Sequence, residues 1–128
     1  MNVAATVFDE AVTAGLLLSR HGERIRVDSP LGRPLPEDLK RRITSHRGEL
    51  LVWLDWCETA DGLLLGCSRR IAGRYPPGCP LEDEEWRAAE ETLNIAHRSQ
   101  DLAVFRQALA HYERFAVERF RAYESGAR

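Results

Sequence analysis

Apolar positions recur along this chain with two different periods, and the change from one to the other marks its elements. Val3, Val7, Phe8 and Ala11 fall at the three- and four-residue spacing of a single helical face, with Asn2 suited to cap the start and Gly15 to stop the end. The period then drops to two. With His21-Gly22 read as a two-residue turn, Arg20 stands opposite Glu23, Leu18 opposite Ile25 and Leu16 opposite Val27. That register puts the aliphatic side chains on one face of a β-hairpin. Leu17 opposite Arg26 and Ser19 opposite Arg24 share the other, largely cationic face. Glycine accepts positive φ freely and histidine does so more often than most residues, which suits a tight primed turn.

Helical spacing returns after a Pro/Gly-rich loop, SPLGRPLP, that comes after Asp28. Pro36 suits the first position of a helix, and Glu37 and Asp38 favour its positive end. Leu39 and Ile43 make the inward stripe, which Leu50, Leu51 and Leu54 continue after an interruption at His46-Arg47-Gly48. The pattern predicts two short helices, 36–45 and 47–56, with a bend between them. Gly62, Gly66, Gly73, Pro76, Pro77, Gly78 and Pro80 then predict an irregular connector over 57–80, with Leu63, Leu64 and Leu65 buried. Beyond YPPGCP, Trp86, Ala89 and Leu93 mark a helix over 82–97. Ser99 opens a second helix carrying Leu102, Phe105, Leu109, Tyr112 and Ala116. The expected fold class is α+β and mostly helical. A helix–hairpin–two-helix subdomain over 1–56 precedes the connector, and an α-hairpin occupies 81–128.

Composition narrows the function more by exclusion than by indication. A chain of 128 residues, 44% hydrophobic and 30% charged, suits one compact domain or a small domain with a helical appendage. A net charge of −2 exerts no general pull on nucleic acid or anionic lipid, but the charge is unevenly spread. Residues 20–47 hold eight Lys/Arg against four acids, and residues 81–101 hold seven acids against two Arg. No apolar run approaches the ~20 residues needed to span a bilayer. The first residues carry Asp9 and Glu10 instead of the basic-then-apolar order of a secretion signal. Three cysteines argue against a disulfide framework and point to reduced thiols in a cytoplasmic protein.

The run LLLSRHGERIRVDSPLGRPLPEDLKRRITSHRGELLVWL carries a resemblance. An aliphatic strand, a glycine-containing turn, an arginine-bearing strand and a Pro/Gly loop occur in order. Leu35-Pro36-Glu37-Asp38-Leu39 and His46-Arg47-Gly48-Glu49-Leu50-Leu51 come next. This order resembles the N-terminal docking domain of the TubC type, over about residues 1–56 only. The resemblance implies a helix, a hairpin and two short helices, often dimeric. In nonribosomal peptide and polyketide assembly lines, such domains capture a short linear segment of the preceding protein as a strand beside the hairpin. By position, the capturing strand here is Arg24-Ile25-Arg26-Val27-Asp28, with Arg33 in the loop after it. A small helical region stands where a synthetase module would be, so an accessory role in phage or plasmid DNA replication is the alternative reading.

The residues themselves allow the same function. A two-stranded ribbon has unpaired N–H and C=O groups on its edges, and an extended peptide can add there. Arg20, Arg24, Arg26 and Arg33 would select an acidic segment, each exposed pair contributing about 0–1 kcal/mol. The competing interpretation is that these arginines only solubilise an edge strand. Catalytic and metal chemistry find less support. The cysteines fall at C-x9-C-x11-C (57, 67, 79), without the close pair of a structural zinc site, and no cofactor is expected. His21, His46, His97 and His111 have no partner that spacing alone identifies. The acids of LEDEEW suit the first turn of a helix better than a metal. Nucleic acid is a less favoured partner, because SRRIAGR and LKRR are short basic stretches in a chain that is not basic overall. Phe105, Tyr112, Phe115, Phe120 and Tyr123 suit a core, with a homodimer seam as the second option.

Overall fold

The computed structural model describes residues 2–126. The fold is α+β and mostly helical, with five helices and one antiparallel hairpin among the described residues. In chain order these are α1 (Val3–Thr13), β1 (Leu17–His21), β2 (Arg24–Asp28), α2 (Glu37–Ser45), α3 (Arg47–Ala72), α4 (Glu84–Arg98) and α5 (Leu102–Gly126). The chain forms two compact units, Met1–Glu58 and Thr59–Arg128, and the division falls within α3.

In the first unit, the Asn2 side chain caps α1 by accepting from the Ala5 N–H at 3.1 Å, and Val7 and Ala11 are buried on its inner face. Gly15, at φ +81°, turns the chain out of the helix, and its N–H donates to the Val12 carbonyl at 2.9 Å. The hairpin forms with a register different from that expected from the sequence. His21 pairs with Arg24, Arg20 with Ile25, Ser19 with Arg26, Leu18 with Val27 and Leu17 with Asp28. The turn is therefore Gly22-Glu23, one residue later than His21-Gly22. Only Gly22 has positive φ there (63°), as a type II′ turn requires, so no histidine has to adopt that conformation. Because each partner moves by two positions, every side chain keeps its expected face. Leu16 and Leu18 are buried, Ile25 and Val27 half-buried, and Arg24 and Arg26 exposed.

Leu39 and Ile43 are buried on α2, whose first turn carries Glu37 and Asp38. Pro36 is the N-cap residue and not the first helical one; its carbonyl accepts from the Lys40 N–H at 2.9 Å. The bend falls at His46 as expected. The third helix departs from expectation: α3 runs for 26 residues, through most of the region expected to be an irregular connector. Gly62 and Gly66 sit inside this helix. An interior glycine costs only about 1 kcal/mol relative to alanine, and burial of Ala60 and Cys67 on the same helix offsets that. Leu63 and Leu64 are half-buried and Leu65 is exposed, contrary to the expectation that all three are buried.

In the second unit, Asp83 caps α4 by accepting from the Trp86 N–H at 2.9 Å, and Glu84 and Glu85 lie in the first turn as their charge favours. Ser99 is the C-cap of α4 and does not open α5. Gln100 takes positive φ (56°), and Asp101 accepts from the Ala103 N–H at 3.0 Å at the head of the last helix. Trp86 packs among Tyr112, Phe115 and Phe120, and Tyr75 meets Phe120 edge-on with ring centroids 5.6 Å apart. The aromatic stripe of α5 is thus largely occupied by the core of its own unit.

Candidate functional site

The sheet has two strands only, in the order β1-β2. Helix α1 packs against β1. Among the described residues, β2 has no strand neighbour except β1. In a two-residue hairpin the pair that closes the turn is hydrogen-bonded, and the bonded pairs then alternate along the ribbon. Starting from His21 and Arg24, this directs the main-chain groups of Arg24, Arg26 and Asp28 towards β1. The N–H and C=O groups of Ile25 and Val27 point away from it. Among the described residues, no backbone hydrogen bond outside the hairpin involves either of them. An extended chain laid along β2 would meet these four groups.

The side chains beside this edge fall into three groups. Arg24 is exposed and, among the described residues, forms no ion pair. Arg26 donates from Nε to Asp28 Oδ1 at 3.0 Å, a pair still largely open to solvent, so its charge is shared along the strand. Ile25 and Val27 present a half-buried aliphatic pair on the opposite face. A strand seated here therefore meets cationic side chains on one face and apolar ones on the other.

Arg20 has another role. Its Nε donates to the Gly22 carbonyl at 2.9 Å, and its terminal nitrogen donates to Asp55 Oδ2 at 2.6 Å and reaches the Leu51 carbonyl at 3.5 Å. It clasps the hairpin to α3, so little of its donor capacity is left for a partner. Nothing in the spacing of Arg20 and Asp55, thirty-five positions apart, announced this contact. Arg33 is exposed, and its aliphatic stem lies over Gly15, where an added Cβ would meet Arg33 Cδ at 3.3 Å. The Ser29 hydroxyl donates to the Arg33 carbonyl at 2.6 Å, which holds that loop closed. Arg33 thus stands at the Leu17–Asp28 end of the ribbon and Arg24 at the turn end.

Other chemistry-bearing residues have local duties. Arg42 bonds the Glu10 carboxylate, whose pKa is lowered chiefly by that hydrogen bond, and it also pairs with Asp38 at 3.2 Å. Burial pushes the Cys67 thiol up, which disfavours the nucleophilic thiolate. Among the described residues, Cys57, Cys67 and Cys79 take part in no disulfide. Among the described residues no three His, Cys, Asp or Glu side chains are gathered so as to hold a metal ion. Also among them, no helix is long and apolar enough to cross a membrane. No family model matches the chain, and neither a curated protein nor a solved structure does.

Proposed function

We propose that the first unit is a non-catalytic docking module that captures an extended, acidic peptide segment of a protein partner by β-strand addition along β2, in the cytoplasm. The observation that carries this reading is the unpaired outer edge of β2, flanked by exposed Arg24 and Arg26. The likeness of residues 1–56 to TubC-type docking domains supports it. Main-chain hydrogen bonds to Ile25 and Val27 supply affinity, and the arginines supply selectivity and a faster encounter. The segment that fits best alternates acidic and apolar side chains, matching the two faces of the strand.

Selection from a displayed library of linear peptides, followed by calorimetry on a synthesised winner, tests the reading. Ile25→Pro removes an outward N–H without removing a hairpin hydrogen bond, since proline is tolerated on edge strands. It should abolish capture while far-ultraviolet circular dichroism stays unchanged. Reversing Arg24 and Arg26 to Glu should weaken an acidic peptide at least tenfold (about 1.4 kcal/mol) and invert the salt dependence, so that the residual binding strengthens as salt screens the new repulsion. Full binding by the proline variant would rule out strand addition at this edge.

A further inference from the structure

The second unit carries a separate cationic surface. Arg74, Arg114 and Arg121 line one shallow concavity of about 370 Å³ together with Ala110, Glu113, Val117 and Glu118. All three arginines are exposed. Among the described residues Arg114 and Arg121 hold no ion pair, and Arg74 acts on Glu113 through charge alone. Glu113 is already committed: Arg70 donates from Nε to its Oε1 at 2.9 Å, and a terminal nitrogen of the same guanidinium lies 2.8 Å from that oxygen in an ion pair. Arg70 and Glu113 neutralise each other. Three cations then face the single carboxylate of Glu118.

The form of this surface narrows the ligand. It lies on a helix, so it offers no free main-chain edge to an extended peptide. Its floor is Ala110 and Val117, too small and open to seat the buried aromatic or aliphatic anchor on which protein–protein affinity usually depends. Affinity there must come from charge. Arg114 and Arg121 are seven residues apart on α5, about 10 Å along the axis at 1.5 Å per residue. Guanidinium forks at that separation suit a polyanion with closely and regularly spaced charges, and their planar donors match phosphate oxygens. A phosphodiester backbone also returns free energy by releasing condensed counterions, which needs no anchor pocket.

We propose that Arg74, Arg114 and Arg121 form a binding surface for the phosphate backbone of nucleic acid, independent of the peptide edge of the first unit. The test is fluorescence anisotropy of a short labelled DNA duplex titrated with the full chain at several salt concentrations. Three phosphate contacts predict a log–log salt slope of about −2.7 and a loss of about 40-fold in affinity between about 50 and about 200 mM salt. Changing Arg114 to Gln should reduce that slope by about one. The triple variant Arg74→Glu, Arg114→Glu, Arg121→Glu should lose binding with its helical circular dichroism intact. Arg106→Glu, the same charge change elsewhere on α5, should lose far less. Glu118→Gln should tighten binding by removing the competing carboxylate. The proposal is overturned if the triple variant binds like the parent. It is equally overturned if no salt-dependent binding occurs, or if, in the Arg24→Glu, Arg26→Glu variant whose peptide edge repels acidic segments, a labelled polyglutamate peptide binds more tightly than the duplex.

Discussion

The two units expose different things to a partner. The first contains the only strands among the described residues and ends its sheet at β2, so part of its backbone hydrogen-bonding capacity is unspent. The second is built from helices, whose backbone bonds close within each element except at its ends, so along a helix face only side chains are available. A ribbon edge reads the geometry of a chain, whereas a helix surface reads charge and shape. This contrast is the ground for proposing an extended peptide as partner of the first unit and a polyanion as partner of the second.

The cores differ as well. The first unit buries mainly alanine and leucine together with Trp56 and Trp53, the latter edge-on to Phe8 at 6.4 Å, so its two tryptophans sit among aliphatic side chains. The second organises one cluster around Trp86, roofed by Arg119. The Arg119 guanidinium lies 5.9 Å from the Trp86 ring centre and 5.3 Å from that of Phe115 while it pairs with Asp83 and Glu85. A cluster with one hub is the more vulnerable design. Trp86→Ala should therefore destabilise most, by about 3–5 kcal/mol in urea unfolding. A loss below about 1 kcal/mol would mean that the aromatic side chains close over the gap, and the hub description would fail.

Two glycines sharpen the contrast at the next level. Gly22 and Gly78 both have positive φ, but an added Cβ at Gly22 meets nothing within 4 Å, whereas at Gly78 it would stand 3.1 Å from the Tyr123 hydroxyl. Gly22→Ala should cost only the conformational penalty, about 1–2 kcal/mol. Gly78→Ala should cost more, because the Tyr123 ring packs against the aromatic cluster. Equal losses in thermal unfolding would show that Tyr123 moves aside freely.

Smaller effects are expected from Gly62 and Asp83. Gly62 has open space where a Cβ would go, so Gly62→Ala should stabilise α3 by about 0.5–1 kcal/mol, readable as a raised melting temperature. The Asp83 carboxyl is held below its ordinary 3.8, first by the Trp86 N–H and then by Arg119. A lowered folded-state value means that its stabilisation is complete above that ordinary value and is lost as pH falls through the folded one. Asp83→Asn keeps an N-cap but not the charge. Its small deficit in stability should be present at neutral pH and fade in acid, as a pH series of unfolding midpoints would reveal.

Much of the fold was legible in the residue pattern. Asn2 and Gly15 bounded α1, Leu39 and Ile43 marked the inner face of α2, and the bend at His46 came from the broken stripe. The hairpin faces were legible because alternation with period two leaves no other way to bury Leu16 and Leu18. The pairing was not. A shift of two residues preserves both faces, so the hydrophobic pattern cannot distinguish the two registers, and the backbone preference of Gly22 selects between them. The length of α3 was hidden for a related reason: glycine raises the free energy of a helix only slightly, and burial elsewhere on the helix outweighs it.

The arginines show the same division most plainly. Composition alone established that the front of the chain is cationic and that alternate positions of β2 carry arginine. It did not establish which cations are free. Contacts between residues far apart in the chain took Arg20 for Asp55, Arg70 for Glu113 and Arg119 for Asp83 and Glu85. Among the described residues they left Arg24 in one unit and Arg114 and Arg121 in the other without a carboxylate partner. Local order is encoded by neighbours in the chain because propensity and periodicity act over a few residues. The charges available to a partner are decided by pairing across tens of residues, and only the folded chain performs that pairing.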